Sequence, residues 1–218
     1  MARLGLIAGS ALTESALPEG DWTAIRRHEG AEGYRLPHEI DHIATLSALA
    51  EAGCDRVLAL SSVGGLRPEY APGTLVCPHD FIALDAEPLT ALAGIEAHRV
   101  PRFDPALRAE LLEALNEGGI EAKGQGIYWQ TRGPRLETPA EIRLIAQHAD
   151  VIGMTVASEC ILAGDLDLRY AALCVVDNLA NGVAGEDLTP AAIERNRARN
   201  RGAVDTALAT VLAQLAGP

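Results

Sequence analysis

Asp55-Arg56-Val57-Leu58-Ala59-Leu60-Ser61-Ser62-Val63-Gly64-Gly65 is the stretch that decides the fold of this 218-residue chain. From Val57 to Leu60 the run is apolar without alternation, the pattern of a strand covered on both faces. It predicts a buried strand over 55–60 that ends in a loop of small residues, 61–65, where backbone can approach a ligand closely. The segment before it, His38 to Ala52, reads as a helix stopped at Gly53. This alternation of helix and buried strand recurs along the chain. Further strands are expected over Leu4–Ala8, Trp22–His28, Thr74–Leu84 (launched by the Pro72-Gly73 turn), Gly126–Thr131, Val151–Gly153 and Tyr170–Val176. Helices are expected over Pro105–Glu117, closed by Gly118-Gly119, over Pro139–His148, over Ser158–Leu166 and over Thr189–Leu215. Thr138 is suited to cap the helix that Pro139 opens. In the last helix Val204, Leu208, Val211, Leu212 and Leu215 share one face at helical spacing. The sum is an α/β fold, one domain over residues 1–218, with a mixed, mostly buried sheet flanked by helices.

The net charge of −12, with no basic stripe to offset it, argues against nucleic acid or an anionic membrane as partner. No apolar run approaches the roughly 20 residues of a membrane span. The N-terminus reads as a strand and not as a signal peptide. Cys54, Cys77, Cys160 and Cys174 form no CxxC pair; buried thiols in a reducing cytoplasm are expected. His38 and His42 have i, i+4 spacing but lack the HExxH order, so no metal site is expected.

Several strands end in small or polar residues: Ser10, Ser61-Ser62, Thr131 and Asp177-Asn178. Ligands of open α/β sheets bind along that edge. Gly9-Ser10 can offer backbone N–H groups and a hydroxyl to an anion. Its spacing fits neither GxGxxG nor GxxxxGK[ST], which disfavours dinucleotides and P-loop nucleotides. Arg26-Arg27-His28 places two guanidinium groups and an imidazole together, suited to phosphate. Thr155, after Gly153-Met154, adds a hydroxyl at a helix start, where capping that helix is the plainer role. Glu137 and Asn178 differ in kind. A carboxylate accepts from N–H, and an amide both accepts and donates. That pair matches a 6-oxopurine, with N1–H facing Glu137 and N7 and O6 facing Asn178. Glu137 can equally be a carboxylate favoured at a helix start, and Asn178 a turn residue.

Taken together, these segments resemble the trimeric purine nucleoside phosphorylase and 5'-methylthioadenosine phosphorylase family. The resemblance runs over nearly the whole chain and is densest from Asp55 to Gly182. The family's Gly-Gly-Thr-Gly turn is reduced here to Ala8-Gly9-Ser10-Ala11, and its Arg-His pair resembles Arg27-His28. Its Asn-Ala-Ala-Gly-Gly-Leu loop resembles Ser61 to Leu66. Its Gly-Pro-x-Phe-Glu-Thr motif resembles Gly133 to Thr138 with Leu136 for Phe, and its Gly-Met-Ser/Thr-x-x-Pro-Glu motif resembles Gly153 to Glu159 with Ser158 for Pro. Glu137, Asn178, the Gly126-Ile127-Tyr128 surroundings and His38 are similar to the 6-oxopurine members, in particular the bacterial 5'-methylthioinosine phosphorylases. A one-residue slip would bring Asp177 to the base instead and weaken that preference.

The resemblance implies a pentosyltransferase that releases free purine and (5-methylthio)ribose 1-phosphate, without metal or organic cofactor and with inorganic phosphate as co-substrate. Ser10, Arg27, His28, Ser61 and Thr155 would hold phosphate, Met154 would pack on the ribose, and Asn178 and Glu137 would carry the departing base. It also implies a homotrimer in which the neighbouring subunit completes the 5' pocket. His98 and Phe103, in the aperiodic segment His98-Arg99-Val100-Pro101-Arg102-Phe103, are the choices for the 5' substituent and a hydrophobic lid. The chain is shorter than family members between Leu12 and Arg27 and around Pro88 to His98, and Asp41 stands where the family has Asn. Other readings on this scaffold are a 5'-methylthioadenosine phosphorylase, a hydrolase of futalosine-like nucleosides and a non-catalytic nucleoside-binding protein. Retention of Arg27-His28 favours phosphorolysis over hydrolysis.

Overall fold

The structure, a computed structural model, describes residues 3–12, 17, 20–30, 33–85, 89–184 and 188–216. Parts of the two shortened stretches, residues 13–16, 18–19 and 86–88, lie outside the described residues. Among the described residues, ten strands and five α-helices follow one another as β1 (Leu4–Ala8), β2 (Trp22–Arg26), β3 (Glu29–Gly30), β4 (Gly33–Tyr34), α1 (His42–Glu51), β5 (Arg56–Gly65), β6 (Leu75–Val76), β7 (Asp80–Ile82), α2 (Pro105–Glu117), β8 (Ile127–Gln130), α3 (Pro139–Ile145), β9 (Val151–Gly153), α4 (Val156–Asp165), β10 (Arg169–Leu179) and α5 (Pro190–Leu215). All but β3 and β4, which form their own small hairpin, join in one mixed eight-stranded sheet.

β5 is the spine of that sheet. Its first half pairs in parallel with β1, its last two residues pair antiparallel with β9, and β10 runs parallel along its other side for the full length. Alternate residues feed two cores, as the two-residue period of a strand requires. Leu4, Leu6, Leu58, Leu60 and Leu173 face α2 and α5, where they meet Leu107, Leu111, Leu208 and Leu212. Ile7, Val57, Ala59, Val63 and Tyr170 face α1 and α4, against Leu46, Leu49, Val156 and Cys160. Burial on both faces explains why β1, β5 and β10 read as unbroken apolar runs. All four cysteines are free and buried. Among the described residues no helix is long and apolar enough to cross a membrane, and no three His, Cys, Asp or Glu side chains are grouped to hold a metal ion.

Local chemistry sets the boundaries. Thr138 Oγ1 accepts from Glu141 N–H while Glu141 Oε2 accepts from Thr138 N–H, a capping box ahead of Pro139. Asp104 and Thr189 cap α2 and α5 with their side chains alone, accepting from Leu107 N–H and Ala192 N–H. Three expectations are corrected. The helix expected from His38 begins only at His42, because Asp41 Oδ1 captures the Ala44 N–H (2.8 Å) and Pro37–Glu39 forms a separate 3-10 turn; His38 and His42 therefore share no helix face. The strand expected over 74–84 is broken in two, since Pro78 has no N–H to donate and its neighbours bond outward, Cys77 N to Lys123 O and His79 N to Gly126 O. The small-residue loop expected at 61–65 is strand. Its small side chains answer to close packing: a Cβ on Gly65 would lie 2.1 Å from the Tyr70 carbonyl oxygen.

Candidate functional site

The ends of five strands converge on one cavity of about 320 Å³. Ser10 enters from the turn after β1, Arg27 and His28 from the end of β2, Ser61 from within β5, Met154 and Thr155 from the turn after β9, and Asn178 from β10. Glu137 joins from the loop between β8 and α3. Eight of the ten residues singled out from the sequence thus line a single cavity. His98 and Phe103 do not.

Arg27 is held in place almost completely. It is 3% exposed, and its Nε and Nη2 donate to Glu159 Oε1 (2.5 Å) and Oε2 (2.9 Å), while Nη1 donates to Leu60 O (3.3 Å). It lies across the end of β1 so closely that a Cβ on Gly9 would sit 2.2 Å from its Nη1 and 2.4 Å from Leu60 O. Only glycine allows that crossing. Glu159 is fully buried and also accepts from Tyr170 Oη (2.6 Å). Burial alone would raise its carboxyl pKa, but the charge and hydrogen bonds of Arg27 outweigh it and hold the carboxyl below its ordinary range. Arg27 likewise stays above its ordinary range despite burial, because Glu159 offsets the desolvation. His28 stacks on Tyr34 at 4.7 Å. Its Nδ1 lies 2.9 Å from the Arg35 carbonyl, which can only accept, so Nδ1 carries the proton and Nε2 is the atom left for a ligand. Burial pushes the pKa of His28 down, against a smaller rise from that carbonyl. Thr155 stands at the cap position of α4, yet its hydroxyl makes no capping bond; Tyr128 Oη accepts its N–H instead (3.2 Å). That leaves the Thr155 hydroxyl uncommitted to the helix.

Glu137 and Asn178 line the same cavity with groups suited to a planar polar ligand. Glu137 is 8% exposed, and its Oε1 accepts from Thr131 Oγ1 (2.6 Å) while its backbone carbonyl accepts from Asn181 Nδ2 (2.8 Å). Asn181 Oδ1 in turn accepts from Leu188 N (2.9 Å), tying Glu137 to the segment that enters α5. Asn178 donates one N–H to Leu179 O (2.9 Å), which leaves the second N–H of the same amide. The choice between Asp177 and Asn178 is made by a bulge. Val176 pairs with Val63 and Asn178 with Gly64, so Asp177 is an extra residue in β10. Its carboxylate is 1% exposed and points to Ser62 Oγ, Asn200 Nδ2 (3.2 Å) and Arg197 Nε (3.6 Å). Asn178 lines the cavity and Asp177 does not.

Phe103 corrects an expectation. It is 3% exposed, packed edge-on to Phe81 (centroids 5.8 Å) and stacked with Tyr170 (6.1 Å). Asp104 N, just beyond it, donates to Tyr170 O (2.8 Å) and pins the segment to β10. A side chain anchored in its own core cannot be a lid over a neighbour's sugar. His98 is exposed and follows a short 3-10 turn, Gly94–Ala97, away from this cavity. Sequence reasoning also left several contributors unassigned. Glu159 and Thr131 orient Arg27 and Glu137, and Tyr34, Leu36, Leu188 and Ile193 add apolar surface to the lining of the cavity. Glu159 was detectable as a carboxylate one turn into a helix of otherwise buried residues.

Residues 29–213 match the family model described as "Phosphorylase superfamily". An Archaeoglobus fulgidus protein named "Probable 6-oxopurine nucleoside phosphorylase" is 38% identical over 181 residues, covering 83% of this chain and 74% of that protein. A Pseudomonas syringae pv. tomato protein named "Probable S-methyl-5'-thioinosine phosphorylase" is 36% identical over 187 residues, covering 82% and 76%. Among solved structures, a mutant adenosine/methylthioadenosine phosphorylase from Schistosoma mansoni in complex with methylthioadenosine superposes with a TM-score of 0.84 over 98% of this chain and 91% of that one. At 18% identity that likeness speaks for the fold alone. With the match running from β3 to the last turn of α5, and relatives this similar over most of its length, the chain belongs to the phosphorylase superfamily.

Proposed function

We propose that this protein cleaves the N-glycosidic bond of 6-oxopurine nucleosides with inorganic phosphate, giving free base and a pentose 1-phosphate. The observation that carries the reading is one cavity lined by two chemically unlike sets of residues. Arg27, His28 and three hydroxyls suit an oxyanion, and Glu137 with Asn178 suits a purine that donates at N1 and accepts at O6 and N7. Phosphate attacks C1' as the bond to the base lengthens, and Met154 packs against the ribose. Catalysis is then positioning plus electrostatic stabilisation of the departing purine by groups already fixed in place, and needs no metal or organic cofactor. The apolar surface of Leu36, Leu188 and Ile193 supports a 5'-methylthio group over a 5'-hydroxyl, and so 5'-methylthioinosine over inosine.

The test is to incubate inosine, 5'-methylthioinosine and 5'-methylthioadenosine separately, with and without phosphate, and to measure free base. Hypoxanthine release that requires phosphate is the expected result. Equal release in phosphate-free buffer would identify a hydrolase.

The working form in this proposal is a cytoplasmic homotrimer with the 5' end of each site closed by a neighbour. The aperiodic segment before α2 supports it: Ile95 and Val100 are 79% and 91% exposed, apolar side chains that another subunit would cover. His98 lies between them and is the residue this reading assigns to the neighbour's site. Activity is expected to fall on dilution below the dissociation constant of the assembly, because closure excludes water from the reacting bond. Light scattering that finds a fully active monomer of 22.9 kDa rules the shared site out.

A further inference from the structure

His42 is a buried group that the proposed reaction leaves without a task. It opens α1 and is 7% exposed, and its Nδ1 has no hydrogen-bond partner. An unpaired buried ring nitrogen is costly unless it does something else. That nitrogen lies 3.8 Å from Glu159 Oε1, the oxygen that takes the Arg27 Nε bond. His42, Glu159 and Arg27 therefore form a row, with the buried Glu159 carboxylate between the imidazole and the guanidinium.

The charge along that row depends on one proton. With His42 neutral, the Arg27–Glu159 pair sums to zero, and a neutral pair is a weak attractant for a dianion. With His42 charged, the row carries one net positive charge beside Ser10, Ser61 and Thr155. We propose that His42 is a positioning and charge-supplying residue for the oxyanion site: anion and proton bind together, the proton on His42 offsetting Glu159 so that Arg27's charge faces the ligand. The inference rests on the oxyanion site proposed above.

Charged groups of both signs face His42. Glu159 from α4 and Asp41 beside it favour its charged form, and Arg27 from the end of β2 opposes it. Tyr170 from β10 reaches the cluster through its bond to Glu159. His38, Arg132 and Ser158 share with His42 a small cavity of about 90 Å³, which gives the ring a path to solvent protons. Burial keeps the free imidazole below its ordinary range, so the resting group is neutral at pH 7. An anion at Arg27 raises that value. The sign follows: affinity for an anion rises as pH falls through the window between the free and the anion-bound pKa, by up to about tenfold per pH unit.

Sulfate is the probe, because its charge does not change between pH 5 and 8 as that of phosphate does. Calorimetry of sulfate binding in buffers of different ionisation enthalpy gives the protons taken up. The wild-type protein is expected to take up a proton fraction at a pH between the free and the sulfate-bound pKa of the ring, found by scanning downward from pH 8, and His42→Asn and His42→Gln to lose at least half of it. His28 faces the same anion, so His28→Gln is measured beside them to give its separate share. An NMR titration of the histidine rings in the wild-type protein makes the same test without any substitution, since the His42 pKa should rise when sulfate is added. Uptake that persists in a folded His42 variant, or a His42 ring that titrates identically with and without sulfate, overturns the inference while leaving the oxyanion site intact. Failure of sulfate and phosphate to bind at all removes the site itself and this inference with it.

Discussion

Arg27→Ala is expected to lower kcat/KM by roughly 10²-fold or more, with a raised KM for phosphate. A guanidinium has five N–H donors. Three of Arg27's are engaged by Glu159 and Leu60 O, leaving one on each terminal nitrogen for an oxyanion. Those two are pre-aimed, because the bidentate bond to Glu159 and the crossing over Gly9 fix the plane of the group. The substitution has a second effect that must be separated from the first. It strands Glu159, which is 0% exposed, and breaking a buried pair from one side costs about 3–5 kcal/mol of stability. The double variant Arg27→Ala/Glu159→Gln removes the stranded charge. It should recover much of the melting temperature lost by the single variant and none of the phosphate use. A folded single variant with wild-type phosphate dependence would show that Arg27 is no ligand. Recovery of activity in the double variant would show that its role is only to neutralise Glu159.

The parts of the fold legible in the sequence were those set by short-range physics. Unbroken apolar runs gave β1, β5 and β10, and Pro105 and Pro139 gave the first residues of two helices, although α3 ends at Ile145 and not at the expected His148. Boundaries decided at longer range were not legible. Ser61 to Gly65 is strand because β9 and β10 flank it, and neither partner is near it in the chain. The cavity was largely legible because polar residues at the C-terminal ends of buried strands are conspicuous against an apolar background. What holds those residues was not, because each support comes from afar: Glu159 is 132 positions from Arg27, and Asn181 is 44 from Glu137. Phe103 misled because an aromatic in an aperiodic segment looks exposed, whereas Phe81 and Tyr170 give it a core to fill.

Asn178→Ala is expected to cost roughly 10²–10³ in kcat on hypoxanthine nucleosides, the usual loss for one fixed donor to a developing anion. Negative charge gathers on the purine as the glycosidic bond breaks, and the second N–H of the Asn178 amide is held ready by the first, which is bonded to Leu179 O. The bulge at Asp177 makes this the only orientation open to β10 here: Asp177 is engaged by Ser62, Asn200 and Arg197, so it cannot turn inward to replace its neighbour. Asn178→Asp asks a sharper question. A carboxylate there accepts from the N6 amino group of adenine but faces O6 of hypoxanthine as one acceptor facing another, and a mispaired buried polar group costs about 1–3 kcal/mol, more when charged. Relative kcat/KM should therefore move toward 5'-methylthioadenosine and away from 5'-methylthioinosine. The move should be incomplete, because Glu137 stays fixed by Thr131 and still lacks a donor at adenine's N1. Both nucleosides are compared at saturating phosphate for the wild type and the two variants. If the wild type already cleaves the adenine compound as fast as its hypoxanthine counterpart, or if Asn178→Asp leaves their ratio where it was, the base is read by other residues.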